Sequence, residues 1–169
     1  MSSAPGAAVT PETPASGDIP AGFKPLKMGG EFIGLNGPLY LRHEGDLVLL
    51  GFRVEKRLTN PMGICHGGMM ASFCDMLLPI SAHRKSAAAR GRFLPTINLQ
   101  IDYLAPAGLG AWVEGEGEVL RVTRSLVFVQ GLVKADGAAV ARVSGIFKLG
   151  PTFDDLRAAD STAAARMPV

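Results

Sequence analysis

One stretch of this chain, residues 67–85, repeats its apolar side chains at helical steps, and nearly everything patterned around it alternates instead. Met70, Phe73, Leu77 and Ile80 or Ser81 recur three and four residues apart, which marks one face of a long helix. Upstream, PLYLRHE and DLVLLGFRVE flank a Gly45-Asp46 turn and read as a strand pair. Downstream come LPTINLQIDYLAP, AWVEGEGEVLRV, SLVFVQGLVKA and AAVARVSGIFKL, the last two joined at Asp136-Gly137, a strong hairpin signal. Ile97, Leu99, Ile101 and Tyr103 are expected on the core face of their strand, and Glu114, Glu116 and Glu118 on the outer face of the next. Short connections predict that the last four strands form an antiparallel meander. One helix and about six strands predict an α+β layer architecture, with a long central helix against an antiparallel sheet.

The ends of the chain are different in kind. Residues 1–22 are Ala, Pro, Ser, Thr and Gly with few large side chains, too little apolar surface to offset ordering, so a disordered tail is expected there. Residues 23–150 would form the single domain, and residues 151–169 a second tail or a frayed helix. At 169 residues, 47% of them hydrophobic and 19% charged, the chain suits one soluble domain. A net charge of +2 is too small for a nucleic-acid surface. There is no uncharged apolar run long enough for a bilayer, and no basic segment with an apolar core at the start, so neither a membrane span nor a secretory signal is expected. Two cysteines beside a helix start, Cys65 and Cys74, make a poor disulfide framework and suggest a cytoplasmic protein.

The chemistry-bearing segment is NPMGICHGGMMASFCD, residues 60–75. Ala71, Ser72, Asp75, Pro79 and Ala82 form a second helical stripe of small or polar residues, and Asp75 lies on it. A solvated face would account for an aspartate, but such a face carries several charges, and no Lys or Arg lies within a turn of this one. Gly67-Gly68 is equally two-sided. A tight turn needs glycine, yet bare amides at a helix start also suit a developing oxyanion.

Asn60, His66-Gly67-Gly68 and Asp75, followed by TINLQIDYLAPAGLG, together resemble the signature of hotdog-fold acyl-CoA thioesterases of the phenylacetyl-CoA (PaaI-like) type. The similarity runs from about Leu39 to Leu149. It implies a hotdog fold, in which the sheet wraps the central helix. It also implies a hydrolase acting on an acyl-CoA substrate, with coenzyme A as part of the substrate and neither cofactor nor metal required. By the resemblance, Asp75 is the catalytic base or nucleophile, the Gly67 amide polarises the thioester carbonyl, Asn60 positions thioester or water, and the Thr96 hydroxyl holds the water. His66 and Gly68 shape the loop at the substrate, and Arg121, Arg124 and Ser125 sit where relatives grip the CoA arm. Phe32, Leu39, Met62, Met69 and Met70 are candidates for an apolar acyl pocket. Pro79 and Cys65 are departures from the pattern.

Spacing adds a constraint of its own. Eight residues of helix separate Gly67 from Asp75, about 12 Å at 1.5 Å per residue. A donor to an oxyanion and a base must each lie about 3 Å from their targets. If both act on one thioester, they come from different subunits, as an antiparallel helix pair across a two-fold axis would allow. The resemblance likewise implies a homodimer, often paired again into a homotetramer.

Four other readings compete. A Cys65–His66 nucleophilic pair is disfavoured because adjacent loop residues point apart. A zinc site from Cys65, His66, Cys74 and Asp75 lacks paired ligand spacing. A hydratase would need a His and a carboxylate around the acyl β-carbon, which His66 does not supply. A non-catalytic acyl-CoA-binding regulatory module would keep the fold and lose the base, whereas Asp75, Asn60 and Thr96 are all present. The basic group Arg84, Lys85, Arg90 and Arg92 is explained first as a complement to the helix dipole, and more sharply as a partner for CoA phosphates.

Overall fold

A computed structural model describes residues 19–164, so most of the expected N-terminal tail, residues 1–18, lies outside the described residues. The described chain folds as β1 (Lys24–Pro25), α1 (Gly30–Asn36), β2 (Tyr40–Glu44), β3 (Leu47–Arg53), α2 (Gly67–Lys85), β4 (Thr96–Tyr103), β5 (Trp112–Val122), β6 (Leu126–Ala135), β7 (Ala138–Lys148) and α3 (Phe153–Ala164). All strands join one antiparallel sheet in the order β1-β2-β3-β5-β6-β7-β4, with α2 packed most closely on β5. This is the hotdog arrangement, a long helix held in a curved sheet.

The helix lies close to the sheet because β5 alternates Glu114, Glu116 and Glu118 with Gly115 and Gly117. A Cβ at Gly117 would meet the Ser81 Oγ at 2.6 Å, and one at Gly115 would meet a Leu77 methyl at 2.7 Å. The glycines thus leave room for α2, and the Gly117 amide donates to the buried Ser81 hydroxyl at 3.1 Å. Phe73, Cys74, Leu77, Leu78 and Ala82 are fully buried on this side. Each fully buried aliphatic or aromatic side chain contributes about 1.5–3 kcal/mol.

Three expectations are corrected. The last four strands are not a simple meander, because β4 pairs with β7 (Leu99 opposite Gly145) and not with β5. The Leu104–Ala111 loop carries the chain to the far side of the sheet, held by Cys65 N–H to Ala107 O and Gly110 N–H to Val54 O, both 2.8 Å. Being the edge strand, β4 buries only the middle of its expected face: Leu99 and Ile101 pack against the core, whereas Ile97 is 57% and Tyr103 56% exposed. Ala82 belongs to the buried face of α2 and not to its small-residue stripe. Within the segment read as a second tail or a frayed helix, residues 153–164 form α3. Thr152 and Asp155 form a reciprocal cap at its start, and Phe153 N–H donates to Gly91 O at 2.9 Å.

Candidate active site

The exposed stripe of α2 is the floor of a cavity of about 750 Å³, a usual size for a small-molecule site. Asp75 lies on this floor, between Ser72 and Pro79. The Thr96 hydroxyl donates to Asp75 Oδ1 at 2.7 Å, so the first residue of β4 meets the middle of α2. No cation pairs with Asp75 among the described residues. α2 runs on through Pro79 to Lys85, although Pro79 has no amide to give the Asp75 carbonyl. Around this pair the walls are apolar: Met28, Phe32 and Ile33 from α1 and its approach, Met76, Pro79 and Ile80 from α2, and Phe93, Leu94 and Leu99 from the β4 side.

The start of α2 forms a second group. His66 is the N-cap: its Nδ1 accepts from Gly68 N–H at 2.9 Å, and its carbonyl accepts from Met69 and Met70. Three of the first four helical amides are therefore occupied. The Gly67 amide is the one left without an acceptor among the described residues. Tyr103, at the far end of β4, donates its hydroxyl to the Gly67 carbonyl at 2.9 Å and so holds the turn from the other side. Asn60 is turned into its own loop, where Oδ1 accepts from Met62 N–H at 3.0 Å and Ile64 N–H at 3.4 Å. A smaller groove lined by His66, Gly68, Phe32 and Ser72 adjoins the Asp75 cavity, which shares its Phe32 and Ser72 walls.

Arg121, Arg124 and Ser125 make a third group, exposed at the β5–β6 turn. Ser125 O accepts from Leu149 N–H at 2.8 Å and Pro95 O from Lys148 N–H at 2.9 Å. The turn therefore borders the Pro95–Thr96 side of the cavity. Of the basic group at the end of α2, Lys85 pairs with Glu116 at 2.6 Å and Arg92 donates to Gly150 O at 2.9 Å, both structural duties.

The structure thus joins Asp75 to Thr96, and His66 to Gly67 and Gly68, but it keeps these two sets at opposite ends of a stretch of α2. Among the acyl-pocket candidates only Phe32 lines the cavity. Leu39, Met69 and Met70 are in the core, and Met62 is 83% exposed in its loop. His83 and Phe153 line the cavity two helical turns beyond Asp75, their rings stacked with centroids 5.8 Å and planes 20° apart. Thr152-x-x-Asp155, a capping signature, was the signal that could have announced Phe153 and α3. Burial pushes the Cys65 thiol up to about 11 and that of Cys74 up to about 12, with Asp75 adding to the second. Neither is a nucleophile at neutral pH, which removes the Cys65–His66 reading. Among the described residues no three His, Cys, Asp or Glu side chains converge as metal ligands would.

Residues 62–141 match the model of the thioesterase superfamily. A Pseudomonas aeruginosa protein described as an esterase is 27% identical over 137 residues, covering 78% of this chain and 98% of that one. Human acyl-coenzyme A thioesterase 13 is 31% identical over 97 residues, covering 56% of this chain and 67% of the human protein. In three dimensions, a hypothetical thioesterase of Streptococcus pneumoniae solved with coenzyme A superposes with a TM-score of 0.60 at 18% identity, covering 73% of this chain and 98% of the other.

Proposed function

Because the chain belongs to the thioesterase superfamily and is a thioester hydrolase, we propose that it cleaves aryl- or medium-chain acyl-CoA to free acid and CoA, in sites shared between two copies. The observation that carries this reading is the Thr96–Asp75 hydrogen bond in the wall of a largely apolar cavity. In it a carboxylate is oriented by a neutral donor, unpaired with any cation among the described residues, and placed where an acyl chain can lie beside it.

The reaction needs a base or nucleophile and a donor for the carbonyl oxygen. Asp75 takes a proton from water as the water adds to the thioester carbon, or attacks that carbon itself. The oxyanion is received by the Gly67 amide, the free one of its turn. The C–S bond then breaks, and the CoA thiolate leaves and takes up a proton; where Asp75 itself attacked, water then hydrolyses the mixed anhydride, releasing the acid and restoring the carboxylate. Asp75 and Gly67 stand eight residues apart on one unbroken helix, about 12 Å, so the amide comes from a second copy. That copy is best brought in along β4, an edge strand with free backbone groups and exposed Ile97, Tyr103 and Leu104. The reading includes a homodimer and the pairing of two dimers into a homotetramer. Asn60 and His66 keep the Gly67 turn in shape, and Arg124 with Arg121 and Ser125 receives the CoA arm. No helix among the described residues is long and apolar enough to cross a membrane. Both cysteines are free, which supports a cytoplasmic setting.

Thiol release from a panel of short-chain, medium-chain, phenylacetyl and hydroxybenzoyl CoA esters tests the proposal. Wild type should turn over the medium-chain and aryl esters best, and Asp75→Asn, still folded, should lose on the order of 10²–10⁴ in kcat. Saturable CoA binding with no release from any ester would instead mark an acyl-CoA-binding module and overturn the proposal.

A further inference from the structure

The cavity along α2 has a direction. One arm of it runs from Asp75 to His83, eight residues and about 12 Å of helix, past apolar Met76, Pro79 and Ile80. Pro79 and Ile80 on the helix and Leu94 opposite give an acyl chain nothing to hydrogen-bond, so the chain must lie along this arm once its carbonyl is at Asp75. His83 and Phe153, stacked on each other, line the end of this arm.

Phe153 is the first residue of α3, beyond residues 62–141, the part of the chain that matches the superfamily model. It is held firmly for a residue so near a terminus. Thr152 caps α3 with Asp155, Phe153 N–H donates to Gly91 O at 2.9 Å, and Phe93 N–H donates to Pro151 O at 2.9 Å. A backbone bridge between Arg92 and Thr152 ties the same two segments. These bonds hold the backbone that carries the ring, and the His83 stack is the contact made by the ring itself.

We infer that Phe153, seated on His83, is the specificity-determining end wall of the acyl site and sets the longest acyl group the enzyme accepts. The inference rests on the proposed thioesterase site and deepens it. Burial and the neighbouring Arg84 charge hold the His83 imidazole below its usual value, so the wall is neutral at physiological pH and tolerates an apolar chain end or an aryl ring against it.

The test uses non-hydrolysable thioether analogues of acyl-CoA with straight chains of increasing length, titrated by calorimetry into wild type, Phe153→Ala and Phe153→Trp. Each methylene that enters the apolar arm should tighten Kd about fourfold. In wild type the gain should stop at a defined length. It should continue to longer chains in Phe153→Ala and stop earlier in Phe153→Trp, which keeps a large ring to anchor α3. Coincident profiles for all three proteins would overturn the inference, as would no gain with length in any of them. Thiol release from the matching esters is read in parallel. A length limit that moves with residue 153 in a protein releasing no thiol would sustain the wall and overturn the hydrolytic reading instead.

Discussion

Asp75 and Thr96 are 21 positions apart in the chain and 2.7 Å apart in space. In the proposed reaction that contact orients the base, because the Thr96 hydroxyl holds Asp75 Oδ1 in place. Thr96→Val keeps the β-branched shape that suits a strand and removes only the hydroxyl. A hydrogen bond to a charged group is worth about 1.5–3 kcal/mol, so kcat should fall about tenfold to a hundredfold while the melting temperature stays close to wild type. An unchanged kcat would show that Thr96 has no part in the chemistry. At this scale the sequence was informative where chemistry is local. Asp75 among small residues and the Gly pair at the helix start were both legible, since each rests on neighbours within a helical turn. The roles of Phe153 and Tyr103 were not, because each depends on contacts with residues tens of positions away, His83 and Gly67.

The elements show the same division. Periodicity located α2 and six of the strands, but it could not say that β4 crosses to pair with β7, since alternation is blind to which neighbour a strand finds. The two-residue β1 and the seven-residue α1 were too short to carry a period at all. The union of α2 with β5 rests on small residues at the contact. Gly117→Ala would drive a methyl into Ser81 and should cost about 1–3 kcal/mol, read as a lower midpoint in urea unfolding. An unchanged midpoint would mean that helix and sheet can part without loss. The C-terminal turn of α2 has a pH signature of its own. Burial first, and Arg84 second, lower the His83 pKa from its ordinary 6.5, so the native state favours the neutral ring. As pH falls below 6.5 the unfolded chain takes up the proton before the folded one. Stability present above that value is therefore lost as pH drops toward the lowered one. Urea unfolding from neutral to mildly acidic pH should show this loss in wild type and a shallower one in His83→Gln. Parallel curves would count against it.

At the scale of the whole molecule, the account requires that one chain is half a site. The Gly67 amide is open and Asp75 is oriented, but a single helix holds them about 12 Å apart, and β4 presents an apolar, unpaired edge alongside both. This part of the reading came from helix geometry alone, and the unbroken helix now seen keeps that spacing. The direct measurement is subunit complementation. Asp75→Asn removes the base. Gly67→Pro removes the one amide in question at a helix position that tolerates proline, following a His66 already extended at φ −63° and ψ 134°. Each variant alone should be close to inactive. Unfolded, mixed in equal amounts and refolded together, they should recover about a quarter of the wild-type rate, because half of the random dimers carry one intact composite site out of two. A mixture as inactive as its components would contradict the shared site and return both residues to a single chain.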